Sequence, residues 1–179
     1  AGGRRPSCDP SRGGAARRLT WWGDPTTKLI GWTPEGDVLV VSATGQPSRR
    51  HPWAYVVPPD GGTPRRLPLG PLADLAQRAE GPAVLLSATM TREMAWQKRY
   101  RGGTAGKLWW NPEGAFVRLA ADLDGNLDSP MLVGERIAFL SDHEGWGNLY
   151  SVDGRGAGLR RHTDHGADGA PAFYARHAA

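Results

Sequence analysis

The sequence predicts an all-β chain of short strands, and three observations carry that reading. Composition comes first: 179 residues include 25 Gly and 15 Pro, enough to interrupt long helices. Yet 39% of the residues are hydrophobic, too many for a disordered chain. The second is a recurring run: Gly36-Asp-Val-Leu-Val-Val-Ser-Ala-Thr44, Gly81-Pro-Ala-Val-Leu-Leu-Ser-Ala-Thr89 and Gly134-Glu-Arg-Ile-Ala-Phe-Leu-Ser-Asp142. Each starts at Gly and climbs through large apolar residues to a Ser, too short for a useful helix and right for a buried strand. The third is a hairpin that follows every copy. Trp53–Val57 leads through Pro-Asp-Gly-Gly to Arg65-Arg-Leu67, Lys107–Trp110 through Pro-Glu-Gly to Val117-Arg-Leu119, and Asn148–Val152 through Asp-Gly-Arg-Gly to Leu159-Arg-Arg-His-Thr163. Glycine supplies the positive φ such turns need.

The elements follow in chain order. Residues 1–14, rich in Gly, Arg, Pro and Ser, read as a loose N-terminal segment. Ala15-Ala-Arg-Arg-Leu-Thr20 repeats the closing half of the hairpin with no opening half before it. Three units of about four strands each then span roughly 21–69, 70–121 and 122–165. Pro171-Ala-Phe-Tyr-Ala-Arg-His177 reads as the first strand of a further unit. Ser42, Ser87 and Ser141 mark a spacing of 45 and then 54 residues. Four strands per 40 to 50 residues is the period of a β-propeller blade. Residues 15–179 are therefore expected to form an incomplete propeller of three near-complete blades with partial strands at both ends. Three blades do not close a ring, so the chain is expected to be part of a longer protein.

One connection departs from the repeat. From the strand-ending Ser to the hairpin aromatic takes 13 residues in the first unit (Ser42 to Tyr55), 9 in the third (Ser141 to Tyr150) and 22 in the middle (Ser87 to Trp109). The extra residues are cationic: Arg92, Lys98, Arg99, Arg101 and Lys107 stand against one acid, Glu93. An enlarged basic loop on a rigid scaffold is a candidate binding element. The stretch ends Gly-Gly-Thr-Ala-Gly-Lys107, yet a phosphate loop needs Gly at the position of Arg101, a hydroxyl at that of Leu108, and a helix after it. Trp96 and Tyr100 offer faces on which bases stack. The stronger reading has them packing the loop onto the sheet while the cations stay in water.

Other constellations reduce to structure. His162-Thr-Asp-His165 has metal-like spacing but ends a hairpin and lacks a third ligand. Asp122-Leu-Asp-Gly-Asn-Leu-Asp128 resembles a calcium loop, except that its Gly is fourth and its twelfth position is Val133. Asx hydrogen bonds in a turn between units explain it better. No G-x-S-x-G elbow surrounds the recurring serines. Paired arginines before Leu or His are expected on outer strands, where charge guards an edge. The single Cys8 excludes a disulfide framework, and no apolar run approaches the roughly 18 residues of a membrane span. A formal charge of +4 is too mild to argue for DNA. No nucleic acid, membrane, metal or cofactor is expected.

The basic stretch Lys98-Arg-Tyr-Arg-Gly-Gly-Thr-Ala-Gly-Lys-Leu-Trp109 resembles the W-K-x-Y-R-G-G-T-x-G-K-[LI]-W signature of the first propeller of tricorn proteases. The likeness extends to Arg18-Leu-Thr-Trp-Trp-Gly23, Gly31-Trp-Thr-Pro-Glu-Gly36, Ser129-Pro130, the Gly134–Asp142 run, Gly145-Trp-Gly-Asn-Leu-Tyr-Ser151 and Leu159–His165. It covers about residues 15 to 177, with actinobacterial-type members closest. Gln97, inserted between Trp96 and Lys98, and the long link Gly166–Ala172 depart from the family pattern.

The resemblance implies a cytoplasmic, ATP-independent, self-compartmentalising serine peptidase that trims oligopeptides. Its parts are a six-bladed propeller, a seven-bladed propeller, a PDZ-like domain and an α/β catalytic core, assembled as hexamers. This segment matches only the six-bladed propeller, which filters and channels peptides, so no catalytic residue is expected here. The family anchors a substrate's C-terminal carboxylate with a pair of arginines in a loop of this propeller. The matching loop, Gly23-Asp-Pro-Thr-Thr-Lys28, is shorter and lacks the pair, so that role is not carried over. Lys28 offers a single charge there, and Arg49-Arg50-His51 in another loop offers bidentate carboxylate binding. Lys28, Arg49, Arg50, Lys98, Arg99 and Arg101 are thus the candidate peptide-binding residues. The rival reading is a TolB-like or other propeller acting as a non-enzymatic interaction scaffold.

Overall fold

The structure is a computed structural model, and it describes residues 17–78, 83–87, 99–112 and 114–166. Twelve strands and no helix occur among them. They form three antiparallel four-stranded sheets in simple up-and-down order: β1(Lys28–Trp32), β2(Val38–Ser42), β3(Trp53–Val57) and β4(Arg65–Arg66); β5(Asp74–Gln77), β6(Ala83–Ser87), β7(Lys107–Trp110) and β8(Val117–Leu119); β9(Leu127–Val133), β10(Arg136–Ser141), β11(Asn148–Asp153) and β12(Arg160–Arg161). No sheet pairs with another by backbone hydrogen bonds, and the described sheets do not close a ring. No described helix is long and apolar enough to cross a membrane.

The apolar runs are the second strands, and their alternation builds the stack. Side chains point to opposite faces with period two, so each run feeds two cores. Leu39 and Val41 meet Ala83 and Leu85 between the first and second sheets. Val84 and Leu86, on the other face of β6, meet Ile137 and Phe139 of the third sheet. Leu72 and Leu75 join the first core, while Leu108, Trp110, Leu127 and Tyr150 join the second. The middle sheet is therefore buried on both faces, which is why its run lacks the polar alternation of a one-sided strand. Tight glycine turns join β1 to β2 and β9 to β10, with Gly36 at φ +89° and Gly134 at φ +55°.

The paired arginines form the outermost strands. Arg65–Arg66 is β4 and Arg160–Arg161 is β12, both exposed at sheet edges, as expected of charged edge strands. The Arg66 guanidinium also lies 4.4 Å over the ring of Trp53. The front flank, read as a closing strand, has no strand pairing over residues 17–27. Instead Leu19 and Trp22 lie against Val40, Tyr55 and Val57 on the outer face of the first sheet, with Trp22 5.0 Å from Tyr55. A lone strand has no ladder to join among the described residues, so apolar burial decides where it rests. The loose segment 1–14 and the strand expected over 171–177 lie outside the described residues.

Candidate functional site

Up-and-down order places the start of every first strand and every second-to-third connection at one end of the stack. Lys28, the 43–52 connection carrying Arg49 and Arg50, the described part of the basic insertion, and the 142–147 connection therefore share that end. Topology thus gathers residues that are far apart in sequence. Lys98 lies outside the described residues.

Each candidate cation has its own local chemistry. Lys28 Nζ donates to Asp74 Oδ2 at 2.7 Å, joining the first strands of two sheets and offsetting its charge. Arg101 pairs with Asp124 at 3.4 Å, with both side chains largely exposed. Arg99 adopts φ +54°, and its backbone N–H donates to Asp142 Oδ2 at 2.6 Å. Arg49 and Arg50 are exposed and have no ion-pair partner among the described residues. Their loop is shaped from within: Arg50 N–H donates to Ser48 Oγ at 3.2 Å and His51 N–H to Ser48 O at 3.2 Å. Arg49 stands at a cleft of about 260 Å³ whose wall includes Asp24, Ala43, Thr44 and Gln46.

The floor of that cleft is fixed by Asp24. Its Oδ1 accepts from Thr26 N at 3.0 Å and Thr26 Oγ1 at 2.7 Å, while Oδ2 accepts from Ser42 Oγ at 2.8 Å and Ala43 N at 2.7 Å. Partial burial works to raise the carboxyl pKa, but the bonds from Thr26, Ala43 and Ser42 outweigh it and hold the group at about 2. Asp142 does the matching work in the third sheet from the opposite partner. It follows β10, is fully buried, and accepts from Asn126 N at 2.8 Å and Asn126 Nδ2 at 3.2 Å besides Arg99 N. One carboxylate thereby ties the basic insertion of the second sheet to the loop entering the third.

Neither acid entered the list of candidates. A signal existed for Asp142: the first two runs end Ser-Ala, whereas the third ends Ser-Asp. Asp74 and Asp124 carry no such mark. The Asp122–Asp128 segment is the end of the connection between the second and third sheets and the start of β9, with Ser129 N–H on Asp128 Oδ1 at 2.6 Å. In the His162–His165 stretch, His162 Nε2 meets Ser151 Oγ at 2.7 Å and His165 N–H caps Asn148 Oδ1 at 2.7 Å. No group of three or more His, Cys, Asp or Glu is placed to hold a metal ion among the described residues. Lys107–Trp110 is a strand, which removes the helix a phosphate loop requires. The first strands β1, β5 and β9 line an open cleft of about 460 Å³ that includes Ile30, Trp32, Asp74, Gln77, Arg78 and Met131.

Comparison with known proteins converges on one family. Residues 8–179 match the tricorn protease N-terminal beta propeller domain. The chain is 58% identical over 173 residues to tricorn protease homolog 1 of Streptomyces coelicolor, covering 95% of this chain and 16% of that protein. It is 32% identical over 156 residues to the tricorn protease of Thermoplasma acidophilum, covering 84% of this chain and 14% of that protein. The crystal structure of the tricorn protease superposes with a TM-score of 0.69 at 35% identity, covering 78% of this chain and 13% of that one. A putative TolB from Agrobacterium tumefaciens matches with a TM-score of 0.50 at 14% identity, covering 78% of this chain and 62% of that one, a likeness of fold alone. The chain thus spans about a sixth of the length of the curated relatives it matches. It belongs to the family of tricorn protease N-terminal β-propeller domains.

Proposed function

We propose that this chain is the substrate-gating part of a tricorn-type serine peptidase that degrades oligopeptides in the cytoplasm, and that it carries no catalytic residue itself. The observation that carries the proposal is family membership across nearly the whole chain, at 58% identity to a protein named as a tricorn protease homolog. Oligopeptides are the proposed partners and a hexamer the proposed assembly of the full protein, both by resemblance.

Within the chain, Arg49 and Arg50 are the proposed anchors for a peptide carboxylate, because their guanidinium groups are exposed and unneutralised. Lys28 and Arg101 are secondary contributors, since each already faces an acid. Arg99 shapes the insertion through its backbone. The TolB-like scaffold reading rests on a fold likeness at 14% identity and gains no further support.

The test is peptide hydrolysis by the protein encoded by the full reading frame. Activity lost to a serine-directed inhibitor supports the assignment, and a frame without peptidase activity overturns it. In that protein, Arg49→Ala with Arg50→Ala is expected to raise KM for short peptides roughly tenfold, the scale of one charge-assisted hydrogen bond, with little change in kcat. Blocking the substrate's C-terminus as an amide is expected to remove most of the difference between the two proteins.

A further inference from the structure

We propose that the cleft beside Arg49 selects peptides whose C-terminal residue is Lys or Arg, with Arg49 holding the terminal carboxylate and Asp24 attracting the cationic side chain. The inference rests on the carboxylate-anchor reading of Arg49 and adds a second charge to it. The cleft is built within one repeat unit. Gly23 and Asp24 belong to the segment leading into β1, and Ala43, Thr44, Gln46 and Arg49 to the connection from β2 to β3. Its walls thus come from the first sheet alone.

Two opposite charges face this space, and neither is neutralised. Arg49 and Asp24 line the same cleft, yet they do not pair with each other, and neither has an ion-pair partner among the described residues. All four donors to Asp24 are neutral groups: Thr26 N, Thr26 Oγ1, Ser42 Oγ and Ala43 N. They hold the carboxyl at about 2, so it stays ionised near neutral pH. They also occupy its lone pairs, so a ligand meets Asp24 as a fixed negative charge more than as a hydrogen-bond acceptor.

The wall between the charges is neutral and pinned. Thr44 N–H donates to Ser42 Oγ at 3.1 Å, and the Thr44 carbonyl accepts from Tyr55 Oη at 2.9 Å. Gln46 N–H donates to Ala43 O at 3.0 Å across Gly45, whose φ of +67° makes the tight turn possible. A ligand with a single charge is attracted at one side of such a cleft and repelled at the other. A ligand that carries an anion and a cation a few bonds apart satisfies both. At about 260 Å³ the cleft is smaller than the roughly 300 to 1,000 Å³ of sites for drug-sized ligands, which limits it to about one residue. A peptide end with a free carboxylate and a Lys or Arg side chain meets both conditions.

The experiment is fluorescence anisotropy on the protein encoded by the full reading frame, with hydrolysis blocked by the serine-directed inhibitor. The probes are N-terminally labelled peptides that differ only in a last residue of Lys, norleucine or Glu. Lys is expected to bind roughly fivefold more tightly than norleucine, the scale of one partly exposed ion pair, and Glu more weakly than either. Asp24→Asn is expected to remove the preference for Lys. Gln46→Lys, which leaves the Asp24 hydrogen bonds in place, is expected to remove it as well, and Gln46→Glu to enlarge it. Equal binding of Lys and norleucine, or a preference that survives both Asp24→Asn and Gln46→Lys, overturns the proposal. If the Arg49→Ala, Arg50→Ala protein then still weakens all three peptides, the carboxylate anchor stands and only the Asp24 role falls. If that protein binds all three as the parent does, the anchor falls and this proposal falls with it. Circular dichroism checks the fold of each variant.

Discussion

Asp24 sets the acid limit of the loop end. Its carboxyl is held at about 2, below the ordinary 3.8, although desolvation opposes this, because Thr26, Ala43 and Ser42 donate to the ionised form. A depressed folded-state pKa contributes stability above the unfolded value, and that stability is lost as pH falls from about 5 through 3.8 toward 2. The group is partly exposed, so solvent screening trims the contribution to about 1 kcal/mol. Denaturant midpoints measured between pH 5 and pH 2 are expected to fall less steeply in Asp24→Asn than in the parent chain. Asp142 is the sharper case, being fully buried. Asp142→Ala leaves the buried Asn126 N–H and the Arg99 N–H without their acceptor, at a cost of about 3 kcal/mol in denaturant unfolding. Gly125 explains why the acid can sit so close. A Cβ there would lie 2.7 Å from Asp142 Oδ1 and 2.9 Å from His143 Cα, so Gly125→Ala is expected to cost about 2 kcal/mol through forced displacement.

At the scale of elements, the basic insertion is a loop with a fixed far end. Its described part, 99–106, is anchored through Asp142, by Ala105 N–H on Gly102 O at 3.0 Å, and by Thr104 Oγ1 on Tyr100 Oη at 3.1 Å. In Asp142→Ala, hydrogen exchange is expected to quicken selectively over 99–106, while β2 and β3 keep their protection. Exchange unchanged over that segment would mean that the carboxylate does not hold it. The strands themselves were legible from the runs between Gly and Ser, because short apolar segments ending at a polar residue suit a buried strand and little else. The front flank was not legible. Ala15–Thr20 resembles a closing strand in composition, but a strand exists only where a neighbour takes its hydrogen bonds, and its described residues pack by Leu19 instead.

For the whole molecule, the stack is one-dimensional: among the described residues each shared apolar core joins adjacent sheets, and the middle sheet takes part in two. Hydrogen exchange should therefore be slowest in β6 and β7, where Val84 and Leu108 are fully buried, and fastest in β1 with its exposed Leu29 and Trp32. Leu108→Ala is expected to destabilise the chain by about 3 kcal/mol, and Leu29→Ala by under about 0.5, in the same unfolding measurement.

The sequence by itself determined the fold class, the number of repeated sheets and the family, because each rests on local pattern: apolar runs, glycine turns and a cationic signature that neighbouring residues spell out. It also located the candidate cations. Only the tertiary structure decided which of them keep their charge free. Lys28 pairs with Asp74 across 46 positions and Arg101 with Asp124, while Arg49 and Arg50 meet no acid among the described residues. Charge pairing depends on distance in space, and the stacking of sheets, not the order of residues, sets that distance.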